Sequence, residues 1–252
     1  MAQLVGARRE RFHQVGPWAL VITAIVVAIG IEAYRRHVVT SFEALYFAVL
    51  IPSIILHEVS HGFVAYLCGD DTAKNAGRLS LNPLRHIDPV GTVLVPLLLI
   101  VTFGTAFGWA RPVPISVNRL RHPRNQAVLV GLAGPAVNII LAALGGLALY
   151  LATHGGATLR FDTSLPFGDE LLFVFGEANV VIAVFNLIPI PPLDGSALLE
   201  RLLPAAMLPG YYSIRQYAMF AVLALVLFDQ SLLGSLFNRA FSIWQHICLP
   251  AL

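Results

Sequence analysis

The sequence predicts an all-α integral membrane protein: a polytopic helical bundle of about six transmembrane segments, with a re-entrant segment at about residues 90–114. Of its 252 residues, 57% are hydrophobic and 12% are charged, which is about half the charged share of a soluble domain. The apolar residues gather in runs long enough to cross a bilayer, and the charges lie between those runs. This pattern excludes a water-soluble globular protein and a disordered chain, which would be polar.

Six apolar runs follow one another along the chain, and each is expected to form a segment within the bilayer. They lie at about residues 17–34, 42–67, 90–108, 127–153, 171–190 and 211–233, and the mixed tail at 235–252 suits the membrane interface. Arg8, Arg9 and Arg11 precede the first run, and no A-x-A-like cleavage site follows it, so a retained transmembrane helix is expected. The positive-inside rule places the N-terminus in the cytoplasm.

The third run is expected to re-enter rather than to cross. Its flanks, residues 70–88 and 109–126, both carry basic side chains, and the positive-inside rule places both in the cytoplasm. The loop at 154–170 is mainly acidic and is expected outside. Non-helical backbone is tolerated at membrane depth where protein or water surrounds it. The G-W-A-R-P-V-P stretch at 108–114 has the glycine and prolines of such a broken segment.

The charge balance also limits the partners. A net charge of +2 is too small, and its charges too scattered, for a nucleic-acid-binding protein. The two cysteines, Cys68 and Cys248, form no C-x-x-C pair and predict no disulfide framework. The oligomeric state is left open.

The second run contains an H-E-x-x-H motif formed by His57, Glu58 and His61. Residues i and i+4 of a helix differ by about 400°, so the two imidazoles project from one face, about 6 Å apart along the axis. Two imidazoles so placed can share a tetrahedral zinc ion. Glu58 then lies beside the open coordination position, where it can take a proton from metal-bound water.

The alternative is that these three residues fall at this spacing by chance, since short motifs are weak signals. Their membrane location argues against it. At bilayer depth each ionisable group costs roughly 2.5–3.5 kcal/mol on insertion scales, so three such groups within five residues need a compensating partner. A metal ion supplies one, and a metal site is therefore the favoured interpretation.

A zinc protease site needs a third protein ligand, and Asp194 is the best candidate. It follows three prolines that end the fifth run, and Gly195 frees the backbone just after it. The alternative is an N-cap for a short helix at 196–203, a position that aspartate suits. With an H-E-x-x-H motif in the same chain, metal ligation is favoured.

Two asparagines also lie in apolar surroundings. Asn138 ends a stretch of small residues that permits close helix approach, and Asn186 precedes the proline run. Each could hold a substrate strand, and each could equally form hydrogen bonds between helices. His86 and Asp88 are not required by a zinc site. A surface loop position is expected for His86, with a role behind the metal ligands as the alternative.

These motifs together resemble the site-2 protease family of intramembrane zinc metalloproteases. The H-E-x-x-H motif is followed by G-P-x-x-N at 134–138 and by N-x-x-P-x-x-P-L-D-G at 186–195. The G-R-L-S-L-N-P stretch at 77–83 and the G-W-A-R-P-V-P stretch at 108–114 are similar to the compact prokaryotic branch. The resemblance covers about residues 43–203.

The resemblance implies an intramembrane zinc metalloendopeptidase that cleaves transmembrane segments of membrane proteins, as in regulated intramembrane proteolysis. One Zn²⁺ per chain would be held by His57, His61 and Asp194. Glu58 would be the catalytic general base that activates zinc-bound water.

The resemblance further implies that Asn138 and Asn186 handle substrate, and that residues 108–114 lie beside the active site, where a substrate strand pairs. Residues 1–252 are expected to form a single membrane-embedded metalloprotease domain with its catalytic core at about 43–203, without the PDZ or CBS domains of larger members. The expected partners are transmembrane protein substrates and the lipid bilayer of a prokaryotic plasma membrane.

A membrane metal transporter or metal-binding protein that uses the same ligands is the alternative function. A transporter would carry ionisable residues along a path through several segments. Here these residues are concentrated at one depth, and a glutamate takes the place of a base, which favours hydrolysis.

Overall fold

The computed structural model describes residues 41–96, 98–99, 108–154, 165–228 and 230–250. Within these ranges every regular element is helical, so the all-α prediction is confirmed. The helices are α1 Ser41–Leu67, α2 Thr72–Asn75, α3 Pro123–Thr153, α4 Phe167–Leu187, α5 Ser196–Leu202, α6 Leu208–Phe228 and α7 Gln230–Cys248. Short 3₁₀ turns lie at Pro83–Arg85, Val117–Arg119 and Ala205–Met207, and a π-helical turn lies at Pro89–Leu94.

Three of the described helices are long and apolar enough to cross a membrane. Their spanning parts are Ala48–Leu67 in α1, Pro123–Thr153, which is α3, and Phe167–Leu187, which is α4. They correspond to the second, fourth and fifth apolar runs. The first run lies outside the described residues, and the sixth forms α6, so a total of six segments stays a prediction.

Helices α1 and α3 are antiparallel neighbours. His57 of α1 contacts Asn138 of α3, whereas Ala65, further along α1, packs beside Val130, which lies earlier in α3. Proline at the first position starts α3 without loss of a helical hydrogen bond, because the first amides of a helix have no partner within it. The ends of both helices near Leu67 and Pro123 therefore lie at the same end of the bundle.

Helix α4 returns antiparallel to α3. Gly145, in the second half of α3, lies against Phe175, whereas Gly131 near its start lies against the backbone of Asp194, which follows α4. Helices α1 and α4 therefore run in the same direction. The second half of α1, which carries His57 and His61, therefore meets the chain that follows α4 and carries Asp194.

The segment between α1 and α3 leaves and returns at one end of the bundle. The Arg121 amide donates to the Cys68 carbonyl over 3.0 Å. Within this segment the Trp109 amide donates to the Gly91 carbonyl, also over 3.0 Å, so the two ends of the third apolar run are adjacent. A re-entrant segment requires this adjacency. Residues 97 and 100–107 of the run lie outside the described residues.

One face of the tail helix α7 packs on α3 and α4. The Trp244 indole donates from Nε1 to the Ala142 carbonyl over 2.9 Å. Glycine at position 176 makes this packing possible, because a Cβ atom there would overlap the Trp244 ring. Ile243 and Ile247 point away from the bundle and are exposed. The mixed composition of the tail thus reflects a helix with one buried face.

Candidate active site

The two histidines of the H-E-x-x-H motif are buried on one face of α1, at 5% and 6% exposure for His57 and His61. His57 Nδ1 lies 2.6 Å from Asn138 Oδ1, and His61 Nδ1 lies 2.6 Å from the Val130 carbonyl oxygen. Because a carbonyl oxygen can only accept, both Nδ1 atoms carry the proton. The lone pair of each ring is therefore on Nε2, as metal ligation requires.

Asp194 meets both histidines at these Nε2 atoms. Its Oδ2 lies 2.9 Å from His57 Nε2 and 3.2 Å from His61 Nε2. Ligand atoms at 2.0–2.1 Å from a tetrahedral zinc ion lie about 3.3 Å apart, which is close to these separations. Asp194 is not the N-cap of the following helix, since Gly195 occupies that position. The structure thus brings the three predicted ligands together.

The backbone after α4 folds back to place Asp194. The Gly195 amide donates to the Asn186 carbonyl over 2.7 Å. A Cβ atom on Gly195 would overlap the carbonyl of Leu187, so a residue with a side chain could not make this close return. The prolines before Asp194 end α4, and the glycine after it lets the chain turn so that Asp194 contacts the histidines of α1.

Gly134 on α3 leaves open the space in front of the two histidines. A Cβ atom there would lie 2.5 Å from His57 Nε2 and closer still to His61 Nε2. Any side chain at this position would therefore crowd both Nε2 atoms, which glycine leaves accessible. Asp194 Oδ2 is buried and has no hydrogen bond from any described residue. Two free imidazole nitrogens and one unsatisfied carboxylate oxygen around this space fit a zinc ion.

Glu58 lies beside this cluster and faces a cavity of about 960 Å³ between α1, α3 and α4. The cavity is lined mainly by apolar side chains, together with His57, His61 and Asp194. Glu58 Oε2 accepts a hydrogen bond of 3.0 Å from the Val113 amide. The carboxylate is thus oriented by a main-chain donor and is open to whatever occupies the cavity.

The segment of residues 108–116, which we call the strap, lies across one side of this cavity. It contains no helix, and Ala110, Pro112 and Val113 line the cavity wall. Its far end is fixed by the Ser116 amide, which donates to Asp70 Oδ2 over 2.6 Å. The sequence prediction that residues 108–114 lie beside the catalytic motif agrees with this position.

Two buried polar residues behind His57, Ser53 and Asn179, were not singled out from the sequence. Asn138 Nδ2 donates to Asn179 Oδ1 over 2.8 Å, and Asn179 Nδ2 donates to Ser53 Oγ over 3.0 Å. All three side chains are fully buried. Ser53 lies four residues before His57 and so on the same helical face, which was the available signal. Each of the three polar residues in this chain of hydrogen bonds lies within a different apolar run of the sequence.

The two predicted substrate-handling asparagines have different surroundings. Asn138 is fully buried and contacts His57 and Asn179. Asn186 lines the cavity close to Asp194, and its Nδ2 donates to the Ile182 carbonyl over 3.0 Å. A role in substrate handling stays a prediction for both. The location at the cavity suits Asn186, whereas Asn138 is placed to orient His57.

Comparison with known proteins gives one family. The model of peptidase family M50 matches residues 167–228. The protein YwhC of Bacillus subtilis is 40% identical over 178 residues, which cover 70% of this chain and 77% of YwhC. Rip2 of Mycolicibacterium smegmatis is 34% identical over 59% of this chain and 53% of its own length. Both names describe zinc metalloproteases.

A more distant relative is the zinc metalloprotease MJ0392 of Methanocaldococcus jannaschii. It is 26% identical over 72% of this chain, but the match covers only 40% of MJ0392. The chain therefore spans about half of Rip2 and two fifths of MJ0392. No solved structure gives a significant match.

Proposed function

The chain belongs to peptidase family M50 and is a zinc metalloprotease with the apolar helices of an integral membrane protein, and from this we propose that it cleaves transmembrane segments of other membrane proteins. One observation carries the proposal. The cluster of His57, His61 and Asp194, with Glu58 beside it, faces an apolar cavity between helices long enough to span a bilayer. A peptide bond cut there would lie in or at the edge of the membrane.

In the proposed mechanism His57, His61 and Asp194 hold the zinc ion. Bound zinc supplies a Lewis acid that polarises the scissile carbonyl and lowers the pKa of water towards neutrality. The protein contributes the orientation of the ligands. Asn138 and the Val130 carbonyl keep the imidazole protons on Nδ1, which leaves both Nε2 lone pairs available to bind a metal ion.

Glu58 is the proposed general base. Its carboxylate takes a proton from the attacking water and later passes it to the nitrogen of the leaving amine. The hydrogen bond from the Val113 amide occupies Oε2, which leaves Oε1 to face the reacting atoms. A base must lie within hydrogen-bond reach of the proton it takes, and this contact restricts the side chain to one direction.

We propose that a substrate segment pairs with the cavity side of the strap. Trp109 and Arg111 both direct their main-chain groups to the same neighbouring loop, which is the alternation of an extended chain. Ala110 lies between them and lines the cavity. By this alternation its peptide groups would point to the opposite edge. A substrate segment that unwinds can pair there. Helix-breaking glycine or proline in the substrate should therefore favour cleavage.

We propose a prokaryotic plasma membrane location with the N-terminus in the cytoplasm. Exposed basic side chains gather at the end of the bundle where α1 ends and α3 begins, including Arg119, Arg121 and Arg124. The positive-inside rule assigns this end to the cytoplasm. The candidate metal cluster lies in the half of α1 nearer that end, so cleavage would occur towards the cytoplasmic face.

The decisive experiment compares the purified protein with a Glu58→Gln variant. Bound zinc is measured, and each protein is incubated in detergent with a single-span substrate. We expect zinc to be retained and cleavage to fall by at least ~100-fold, within the range expected for loss of a general base. Glu177→Gln is the matched control, because Glu177 is also a glutamate within an apolar helix but does not line the cavity.

Cleavage that persists unchanged in Glu58→Gln would contradict the proposed mechanism. Zinc transport into sealed vesicles without any proteolysis would instead support the metal transporter. Asp194→Ala tests the ligand set separately. We expect this variant to lose zinc, and unchanged zinc content would remove Asp194 from the site.

A further inference from the structure

The outer edge of the strap is bonded to residues 77–92, which we call the brace. Neither zinc binding nor proton transfer assigns the brace a role. The Trp109 amide donates to the Gly91 carbonyl over 3.0 Å, and the Arg111 amide donates to the His86 carbonyl over 2.9 Å. These two bonds determine which edge of the strap is occupied and which edge faces the cavity.

Arg78 is the centre of the brace. Its side chain is nearly buried, at 8% exposure. Nη2 donates to the carbonyls of Arg111 and Pro112 over 2.5 Å and 3.2 Å, and Nη1 donates to the carbonyl of Arg85. One guanidinium thus joins two consecutive strap residues to the brace. A buried cation is costly unless its donors are used. Here main-chain oxygens accept from both terminal nitrogens, whereas Nε has no hydrogen-bond partner among the described residues.

The other polar residues of the brace hold its shape. His86 Nε2 lies 2.7 Å from the Ser80 carbonyl oxygen, so the ring closes the loop between them. Asp88 Oδ1 accepts hydrogen bonds of 2.9 Å from the amides of Val90 and Gly91. His86 is buried, at 2% exposure, so the expected surface position is wrong. His86 and Asp88 instead support the carbonyls that the strap contacts.

The brace is linked to the proposed base through two strap residues. The Arg111 and Pro112 carbonyls that Arg78 holds immediately precede Val113, whose amide contacts Glu58. An extended chain advances about 3.3 Å per residue, so a slip of one residue would remove this contact altogether.

We infer that Arg78 is a positioning residue for the protease reaction: by holding the Arg111 and Pro112 carbonyls it sets the register of the strap, and so both the contact from Val113 to Glu58 and the edge that receives substrate. This inference rests on the proposed role of Glu58. Arg78 itself touches neither the metal cluster nor the proposed reacting atoms.

Arginine suits this task for a geometric reason. Its planar guanidinium directs several donors in fixed directions, so it can bond to three carbonyls at once. A lysine ammonium would retain the charge but concentrates its donors at one point on a flexible stem. Arg78→Lys therefore keeps the positive charge but loses the fixed donors that hold the strap in register. Arg78→Met removes the charge and the donors and keeps an apolar stem.

The test measures amide hydrogen exchange and kinetics on the full chain in detergent. The variants are Arg78→Lys and Arg78→Met. Arg201→Lys and Arg201→Met are matched controls, because Arg201 is exposed and its Nε donates to Asn125 away from the strap and the cavity. Exchange is followed in the peptide that covers the strap and in one from the middle of α3. Zinc content, kcat and KM for a single-span substrate are measured on the same samples.

We expect Arg78→Met to raise strap exchange at least tenfold and to lower kcat at least tenfold. Exchange in α3 and zinc content should stay unchanged, because the metal ligands lie outside the brace. Arg78→Lys should fall between Arg78→Met and the natural protein, and the Arg201 variants should match the natural protein. Unchanged strap exchange in Arg78→Lys or Arg78→Met would overturn the inference. Loss of zinc or of α3 protection in parallel with activity would also overturn it, since Arg78 would then be purely structural.

Strap exchange does not depend on catalysis, so the two proposals can fail separately. If Glu58→Gln keeps full activity, the proposed mechanism fails whatever the exchange shows. If Glu58→Gln is inactive but strap exchange in Arg78→Met is normal, the mechanism stands and the inference about Arg78 is wrong. If Arg78→Met does not fold, Arg78→Lys alone decides the outcome.

Discussion

At the scale of single residues, the side chains behind His57 fix the orientation of its ring. Asn138, Asn179 and Ser53 form a fully buried chain of hydrogen bonds through α3, α4 and α1. Buried polar groups are costly unless satisfied, and here each satisfies the next. The result is a fixed orientation for His57, reached without a charged group behind the ligand.

Gly134 supports a prediction at the same scale. We expect Gly134→Ala to lower zinc affinity by at least ~100-fold, about 2.7 kcal/mol, because the new methyl group would fill the space in front of both Nε2 atoms. Competition with a chromophoric chelator measures the affinity.

The control for this substitution is Gly168→Ala. Gly168 lies at the start of α4, and no described atom comes within 4 Å of the Cβ that would be added. Zinc affinity should be unchanged, and stability should change by no more than about 1 kcal/mol. Equal zinc affinity in Gly134→Ala and Gly168→Ala would show that the ion does not occupy this space.

At the scale of elements, Asp70 joins the end of α1 to the end of the strap. It accepts hydrogen bonds from the Ser116 amide over 2.6 Å and from the Thr72 amide over 3.0 Å, and it also accepts one from the Thr72 hydroxyl. Burial by itself would raise the pKa of Asp70. The hydrogen bonds from Thr72 and Ser116 and the charge of Arg119 outweigh it and hold the pKa below its usual value.

The lowered pKa of Asp70 gives a pH dependence with a definite sign. Its stabilisation is fully present above the usual carboxyl pKa of about 3.9 and is lost as pH falls through the lower folded-state value. Asp70→Asn should therefore cost about 1–3 kcal/mol at neutral pH, because a neutral amide accepts these bonds less well. The difference in thermal midpoint between the two proteins should shrink from pH 5 to pH 3.

Thermal unfolding across this pH range, followed by circular dichroism, makes the measurement. A constant difference in midpoint between the natural protein and Asp70→Asn would show that the carboxylate is not the acid-sensitive group of this joint. Equal midpoints for the two proteins at every pH would show that the hydrogen bonds of Asp70 contribute nothing to stability.

At the scale of the whole molecule, the proposed orientation in the membrane follows from the way the helices pair. Helices α1 and α4 run the same way and α3 runs opposite, so the second half of α1 and the chain after α4 supply the metal ligands while α3 packs beside them. The basic segments before α3 share the end at which α1 finishes. The start of α4 at Phe167 lies at the other end, which the proposed orientation places outside the cell.

Cysteine labelling tests this orientation. In a background with Cys68 and Cys248 replaced by alanine, we expect Gly168→Cys to react with a membrane-impermeant maleimide on intact cells. Arg121→Cys, in the basic segment, should react only after the membrane is opened. Labelling with the opposite pattern would place the basic segments outside and reverse the proposed topology.

Much of the site was predictable because its residues are close in sequence. The spacing of His57 and His61 puts both rings on one helical face wherever that helix packs, and Glu58 follows between them. The apolar runs likewise predict the helices, since a bilayer admits little else. Asp194 was identified as a candidate only because a carboxylate at a helix break is unusual in such a run.

The sequence by itself determined the helical class, the membrane setting and the local ligand motif, because these depend on composition and on the helical period alone. Only the tertiary structure decided that Asp194 meets both Nε2 atoms, that Asn179 orients His57 through Asn138, and that Arg78 holds the strap. These contacts join distant parts of the chain. They depend on how closely the helices approach, which is set by small residues whose effect appears only once their neighbours are in place.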